Sequence, residues 1–170
     1  MKSLIYLIGF MGSGKSTIGA LLAKRMNWFF VDMDQLIEAQ QHCSIAELFK
    51  SRGEPFFRKI ENQLLQEISH KTHSIVATGG GIILRKSNRE LMKETGIQVW
   101  VQWEISSLLQ HIQVNPAARP LFKDENSFIK LYNKRRKWYA EADIGVQCDN
   151  KTPDEIVLEI LQYMPNSNKI

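Results

Sequence analysis

A glycine-rich loop directly after an apolar run is the feature that most constrains the fold of this chain. Residues 9–16 read GFMGSGKS and match the pattern G-x-x-x-x-G-K-[ST], and they follow the apolar residues 4–8, LIYLI. In such a pattern a buried strand leads into a loop whose N–H groups surround phosphate oxygens, and the following helix directs its N-terminus at the anion. We therefore expect a parallel α/β protein that binds a nucleoside triphosphate.

Individual residues of this loop suit separate parts of the ligand. Gly12 and Gly14 tolerate the dihedral angles of a phosphate cradle, and Lys15 reaches the outer phosphates. The Ser16 hydroxyl is placed to contact Mg²⁺. A nucleoside triphosphate with Mg²⁺ is therefore the expected ligand of the loop.

Apolar runs alternate with helical patterns along the chain, which predicts a three-layer α/β/α fold with a five-stranded parallel sheet. Helices are expected over about residues 15–26, from the capping box of Ser44 and Glu47 to Gly53, over about 54–69, and from about 152. A length of 170 residues suits one domain, 1–170. The expected strands are Leu4–Ile8, Trp28–Val31, Ser74–Ala77, Gln98–Trp103 and Ile144–Gln147.

Charge and cysteine content narrow the class of partner. Lys plus Arg number 22 against 18 for Asp plus Glu, a net charge of +4, which suits small anions better than nucleic acid. Cys43 and Cys148 form no CxxC pair, so we expect reduced thiols rather than a disulfide framework or a zinc site. No run approaches the ~20 apolar residues of a membrane span. We expect a cytoplasmic monomer with no membrane or nucleic-acid partner.

Two aspartates follow the second predicted strand, in the order Val31-Asp32-Met33-Asp34. On an extended backbone both side chains point to one face, at the sheet edge where ligands of such folds bind. One carboxylate can hold Mg²⁺ through its water shell, and the other can accept a proton or a hydrogen bond from a substrate hydroxyl. An alternative for Asp34 is the N-cap of the next helix.

Other candidate site residues lie later in the chain. Glu61 follows Arg58 by three helical positions and can brace it, and a guanidinium suits a carboxylate ligand. Residues 79–81 are three glycines that either admit a ligand close to the main chain or form a plain turn.

In the basic run 134–137 one side chain can face the ligand while the rest stay solvated. The proline-containing loop within about 112–124 carries Arg119 and is a candidate lid. His70 and His73 fit a polar turn better than a metal site.

In their order and spacing these motifs resemble the shikimate kinase family over nearly the whole chain. The carrying residues are Gly9 to Thr17, Asp32-x-Asp34, the stretch Phe49 to Glu61, Gly79 to Gly81, Arg119-Pro120-Leu121, and Arg135 four residues before Tyr139. The resemblance implies transfer of phosphate from ATP to the 3-hydroxyl of shikimate, in chorismate and aromatic amino acid biosynthesis. It also implies a P-loop kinase fold with a substrate-binding helical insertion over about 33–61 and a lid.

The resemblance assigns a role to each matching residue. Catalysis is implied for Lys15, Asp34 and Arg119, and the metal for Ser16 and Asp32. ATP contacts are implied for Gly12, Ser13, Gly14, Lys15, Ser16, Thr17 and Arg119. Shikimate contacts are implied for Asp34, Arg58, Gly79, Gly80, Gly81 and Arg135, with the two arginines on the substrate carboxylate.

Departures and rival functions are also visible in the sequence. Ile112 stands where many members of the family have an arginine that contacts adenine, and Arg136 adjoins Arg135. An alternative function is a kinase for another small metabolite such as gluconate, which would use the same kind of phosphate loop and lid. A GTP-dependent switch needs N-K-x-D, whereas residues 150–153 read NKTP. Nucleic-acid binding through residues 134–137 predicts steep salt dependence.

Overall fold

The computed structural model describes residues 3–113 and 124–164. The strands are β1 Leu4–Ile8, β2 Phe29–Asp32, β3 Ser74–Ala77, β4 Ile97–Gln102 and β5 Ile144–Gln147. They form one parallel sheet in the order β2-β3-β1-β4-β5. The central strand is β1, which leads into the glycine-rich loop, and all five of its residues are buried, as is typical of a continuous apolar run in a parallel sheet.

Helices cover both faces of the sheet, so the predicted three-layer α/β/α fold is confirmed. The helices are α1 Lys15–Met26, α2 Met33–Gln41, α3 Ile45–Ile68, α4 Lys86–Thr95, α5 Ile105–Gln113, α6 Glu125–Tyr139 and α7 Pro153–Gln162. Side chains alternate along β1: Ile5 and Leu7 pack toward α1 and α7, whereas Tyr6 and Ile8 pack toward the remaining helices. A short 3-10 turn, Ile82–Leu84, follows β3.

Two strands are shifted by one residue from their predicted limits: β2 is Phe29–Asp32 rather than Trp28–Val31, and β4 is Ile97–Gln102 rather than Gln98–Trp103. β2 begins at Phe29 because the N–H of Trp28 donates to the carbonyl of Ala23 and closes the end of α1. β4 ends at Gln102, since the carbonyl of Trp103 accepts from the Tyr132 hydroxyl. Trp103 therefore lies just beyond the end of β4, outside the sheet.

The region after β2 forms two helices with one sharp bend. The capping box of Ser44 and Glu47 starts α3 as predicted. At Gly53 the helix is interrupted at φ 76° and ψ 168°, a conformation that favours glycine, and the helical path then resumes to Ile68. The bend directs the second part of α3 toward the carboxyl end of the sheet.

The alternative in which Asp34 is the N-cap of the helix after β2 is excluded. The N-cap of α2 is Asp32 rather than Asp34, because the Asp32 carboxylate accepts from the N–H of Gln35 at 3.2 Å. Asp34 instead lies in the first turn of α2.

The predicted lid falls mostly outside the described residues. Ile112 and Gln113 complete α5, and Asp124 caps α6. Arg119 lies outside the described residues. No helix in the parts of the chain that the structure describes is long and apolar enough to span a bilayer.

Candidate active site

A cavity of about 570 Å³ opens at the carboxyl ends of β1, β2 and β3. The segment at the end of each strand lines the cavity. These segments are the glycine-rich loop after β1, the two aspartates at the end of β2 and the three glycines after β3. The size is typical of small-ligand sites. The wall includes Met11, Lys15, Ser16, Asp32, Asp34, Phe49, Phe57, Arg58, Glu61, Gly79, Gly80, Gly81 and Arg135.

The glycine-rich loop wraps around the ammonium group of Lys15. This buried group donates to the carbonyls of Gly9 and Phe10 at 3.0 and 2.9 Å and to the Ser13 hydroxyl at 3.1 Å. Gly14 caps α1 at φ 76°, so the helix begins at Lys15. The loop therefore joins one positive charge to a helix N-terminus, an arrangement that attracts anions.

Ser16 and Asp32 meet where α1 begins. The Ser16 hydroxyl donates to Asp32 Oδ2 at 2.5 Å, while the other carboxylate oxygen caps α2. Within residues 3–113 and 124–164 no three His, Cys, Asp or Glu side chains form a potential metal cluster. One hydroxyl and one carboxylate nevertheless suit Mg²⁺, which keeps most of its water and binds few protein groups.

Asp34 and the first glycine of the triplet face one another. A Cβ atom built on Gly79 would lie 3.0 Å from Asp34 Oδ1 and 2.8 Å from Glu61 Oε1. Main chain, aspartate and glutamate thus approach one another in the floor of the cavity. Asp34 is half-buried and lines the same cavity as Lys15 and Ser16.

Arg58 is buried and fixed by two carboxylates of its own helix. Its Nη1 donates to both oxygens of Glu61 at 2.9 and 2.8 Å, and Nε and Nη2 donate to Glu54 at 3.1 and 3.0 Å. The guanidinium lies against Gly81, where an added Cβ would come within 2.2 Å of Nη2. Only glycine leaves room for this arginine.

Arg135 approaches the same glycines from α6. Its Nη1 donates to the carbonyl of Gly80 at 3.4 Å, and its guanidinium lies 5.8 Å from the Phe10 ring centre. Its Nε is buried and has no hydrogen-bond partner among the described residues. Burial, with the nearby charge of Arg58, lowers the pKa of Arg135. A second buried guanidinium with a spare donor calls for an anionic ligand.

The neighbouring Arg136 is exposed, as are Lys134 and Lys137. Of the four basic residues in this run, Arg135 is the one that lines the cavity. The spacing to Tyr139 in the sequence favoured Arg135, and Arg135 is the arginine whose side chain faces the cavity.

Glu61 is 1% exposed, and burial raises its pKa to about 7 despite the opposing charge of Arg58. The folded protein then holds this proton more tightly than the unfolded chain, so the stability it contributes is full below about pH 4.5 and is lost as pH rises through about 7. Urea unfolding of wild type and Glu61→Gln should give a stability difference, wild type minus variant, that falls by on the order of 3 kcal/mol across this window. The exposed carboxylates titrate alike in both proteins and cancel. A difference that stays constant with pH would contradict the expectation.

The structure brings most of the predicted site residues that it describes together in one cavity. Gly12, Ser13, Gly14 and Thr17 belong to the adjoining loop and the start of α1 and are not part of the cavity wall. The sequence did not single out Glu54 as a second partner of Arg58, although its position four residues before Arg58 was a visible signal. It also did not indicate the contacts that Trp103 and Tyr139 make with the site loops, because these depend on the packing of α5 and α6. His73 packs edge-on to Trp28, remote from this edge.

A central strand that ends in a phosphate loop, with an acceptor cavity beside it, defines a P-loop kinase, an ATP-dependent phosphotransferase. A family model described as shikimate kinase matches residues 11–165. The chain belongs to the shikimate kinase family.

Individual relatives agree with this assignment. The chain is 41% identical over 158 residues to a shikimate kinase of Sulfurihydrogenibium sp., covering 92% of this chain and 95% of the relative. It is 43% identical over 165 residues to that of Rippkaea orientalis, covering 95% and 87%. A solved shikimate kinase from Acinetobacter baumannii in complex with shikimate superposes with a TM-score of 0.90 at 32% identity, covering 94% and 91%.

A gluconokinase from Sinorhizobium meliloti superposes less closely, with a TM-score of 0.59 at 14% identity over 93% of this chain and 89% of that one. At that identity the likeness shows the fold alone. The alternative function, phosphorylation of gluconate, is therefore supported by the shared fold and by nothing further in this comparison.

Proposed function

We propose that this protein transfers the γ-phosphoryl group of ATP to the 3-hydroxyl of shikimate, giving shikimate 3-phosphate and ADP for aromatic amino acid biosynthesis. The observation that carries the proposal is the pair of buried arginines in the same cavity as the phosphate loop. Arg58 and Arg135 are 8% and 3% exposed. Arg58 is held in place by Glu54 and Glu61. Arg135 donates to a main-chain carbonyl, and among the described residues its Nε has no hydrogen-bond partner. A buried guanidinium in this state is costly without an anion to bind, and a carboxylate matches its fork of donors.

The acid is oriented from one end of the cavity. In the proposed complex its carboxylate lies between Arg58 and Arg135, and the three glycines allow its ring to approach the main chain. The ring hydroxyls then extend toward Asp34 and the phosphate loop, which line the same cavity. Fixing both reactants in this way supplies much of the rate enhancement by removing translational and rotational freedom.

Phosphoryl transfer needs little covalent chemistry from the protein. The acceptor oxygen attacks the γ-phosphorus, the bond from that phosphorus to the β,γ-bridging oxygen breaks, and ADP leaves with the electron pair. Asp34 orients the hydroxyl and accepts its proton. Lys15 stabilises the charge on the transferring group, and Arg119 is proposed to add to it from the lid.

Mg²⁺ is the proposed metal, with Ser16 and Asp32 as the residues that would hold it. Bound there, the ion would supply positive charge that offsets the negative charge of the phosphate groups. The nucleotide contacts proposed for the loop residues are those of Gly12, Ser13, Gly14, Lys15, Ser16 and Thr17.

A coupled ADP-release assay over a panel of polyhydroxylated acids tests the proposal. Shikimate should support turnover, whereas gluconate, quinate and a shikimate methyl ester, which lacks the carboxylate charge, should have kcat/KM values lower by about 100-fold or more, because two charge-assisted contacts are lost or misplaced. ADP release that does not depend on shikimate, or a preference for gluconate, would overturn it.

A further inference from the structure

Two aromatic side chains outside the predicted motifs bind main-chain carbonyls of the site loops. The indole N–H of Trp103 donates to the carbonyl of Ser13 in the phosphate loop at 3.0 Å. Beside it, His111 Nδ1 lies 3.1 Å from the carbonyl of Gly12, and because a carbonyl only accepts, that nitrogen carries the hydrogen. The two rings meet edge to face at 4.7 Å. Two side-chain hydrogen bonds therefore fix the Gly12 and Ser13 carbonyls of the phosphate loop.

The glycine triplet is held in the same way from α6. The hydroxyl of Tyr139 donates a short hydrogen bond to the carbonyl of Gly80, and its ring stacks on Trp100 at 6.1 Å. Tyr139 is fully buried. Burial also raises the pKa of this hydroxyl, so it remains a donor at neutral pH.

Each of these bonds determines the direction of the next N–H group. In a planar trans peptide the C=O of one residue and the N–H of the next point in opposite directions, and the described residues contain no cis peptide bond. Holding the Ser13 carbonyl outward directs the Gly14 N–H to the other side. Holding the Gly80 carbonyl directs the Gly81 N–H in the same manner, away from Tyr139.

We infer that Trp103 and Tyr139 are positioning residues that preorganise one substrate half each, Trp103 the phosphate loop for ATP and Tyr139 the glycine triplet for the acid. Neither side chain needs to touch a substrate for this. A loop already in its binding conformation loses less entropy on association, so affinity rises without a new contact. The acid half of the inference rests on the proposed function, whereas the nucleotide half does not.

Trp103→Phe and Tyr139→Phe test the inference, because each removes one donor and keeps an aromatic ring. Trp103→Phe should raise the KM for ATP and the Kd for ADP in calorimetry with MgCl₂ by about 3- to 10-fold, with the shikimate KM changed less than about 2-fold. Tyr139→Phe should show the reverse, a rise of about 3- to 10-fold in the shikimate KM alone. His111→Phe, at an exposed position, should act in the same direction as Trp103→Phe.

Two substitutions serve as matched controls for loss of packing. Trp28 also meets a histidine edge to face, at 5.3 Å, and Tyr6 is also a fully buried tyrosine with a hydrogen-bonded hydroxyl. Trp28→Phe and Tyr6→Phe should leave both KM values unchanged. Equal rises of both KM values in Trp103→Phe or Tyr139→Phe, or no rise in either, would overturn the inference.

Failure of this inference is distinguishable from failure of the proposed function. The ADP titration contains no acid and measures the phosphate loop alone. Wild-type turnover on shikimate tests the reaction, whichever way the variants behave.

Discussion

Asp34→Asn should lower kcat by about 10²- to 10⁴-fold, the usual contribution of a positioned general base. Asparagine keeps the shape of the side chain and can still accept a hydrogen bond, but it cannot take the proton of the attacking hydroxyl. Because Asp34 is proposed to meet the reacting hydroxyl while the two arginines bind the carboxylate, the KM for shikimate should change by less than about 3-fold. Steady-state kinetics with ATP saturating measure both constants.

Asp154→Asn is a matched control for the charge at a helix start. Asp154 is the second residue of α7, as Asp34 is the second of α2, and it pairs with Arg25 remote from the cavity. Both substitutions remove one favourable interaction with a helix N-terminus, so the losses in thermal stability should be similar and small. A kcat for Asp34→Asn within about 3-fold of wild type would refute the catalytic role of this carboxylate, since a base contributes far more.

Local patterns determined much of the fold in advance. The strands β1, β3 and β5 and helix α1 have the predicted limits, because buried apolar runs and capping residues lie next to one another in sequence. The sequence left open whether Asp34 caps α2, since both aspartates suit a cap and only the path of β2 decides that Asp32 does so. Ambiguities of this kind are resolved by tertiary contacts that leave no trace in the local sequence.

Part of the site was also predictable, because its residues lie in short local patterns. Lys15, Asp32 and Arg58 belong to short motifs whose chemistry can be recognised from residue type and spacing. The contacts of Trp103 with Ser13 and of Tyr139 with Gly80 join residues 90 and 59 positions apart. No spacing rule predicts them, because they depend on how α5 and α6 pack behind the loops.

Arg58→Ala should raise the KM for shikimate by about 10- to 100-fold and change the KM for ATP by less than about 2-fold. The expected loss corresponds to a charge-assisted hydrogen bond with a carboxylate, about 1.5–3 kcal/mol. The same substitution leaves Glu61 buried without its partner, which is expected to reduce stability. Thermal unfolding must therefore accompany the kinetics, and Arg52→Ala, at an exposed arginine of the same helix, is the control.

Gly81→Ala tests the same contact while both charges of the ion pair remain. The new Cβ would lie 2.2 to 2.5 Å from three atoms of the Arg58 guanidinium, which must then leave its place beside the glycines. Gly145→Ala is the matched control, because its Cβ would meet its nearest atom, an oxygen of Gln102, only at 3.9 Å. We expect Gly81→Ala to raise the shikimate KM as Arg58→Ala does, and Gly145→Ala to leave it unchanged. If Arg58→Ala and Gly81→Ala raised the KM values for shikimate and ATP equally, the guanidinium would not be the carboxylate-binding group, and the assignment of this end of the cavity to the acid would fail.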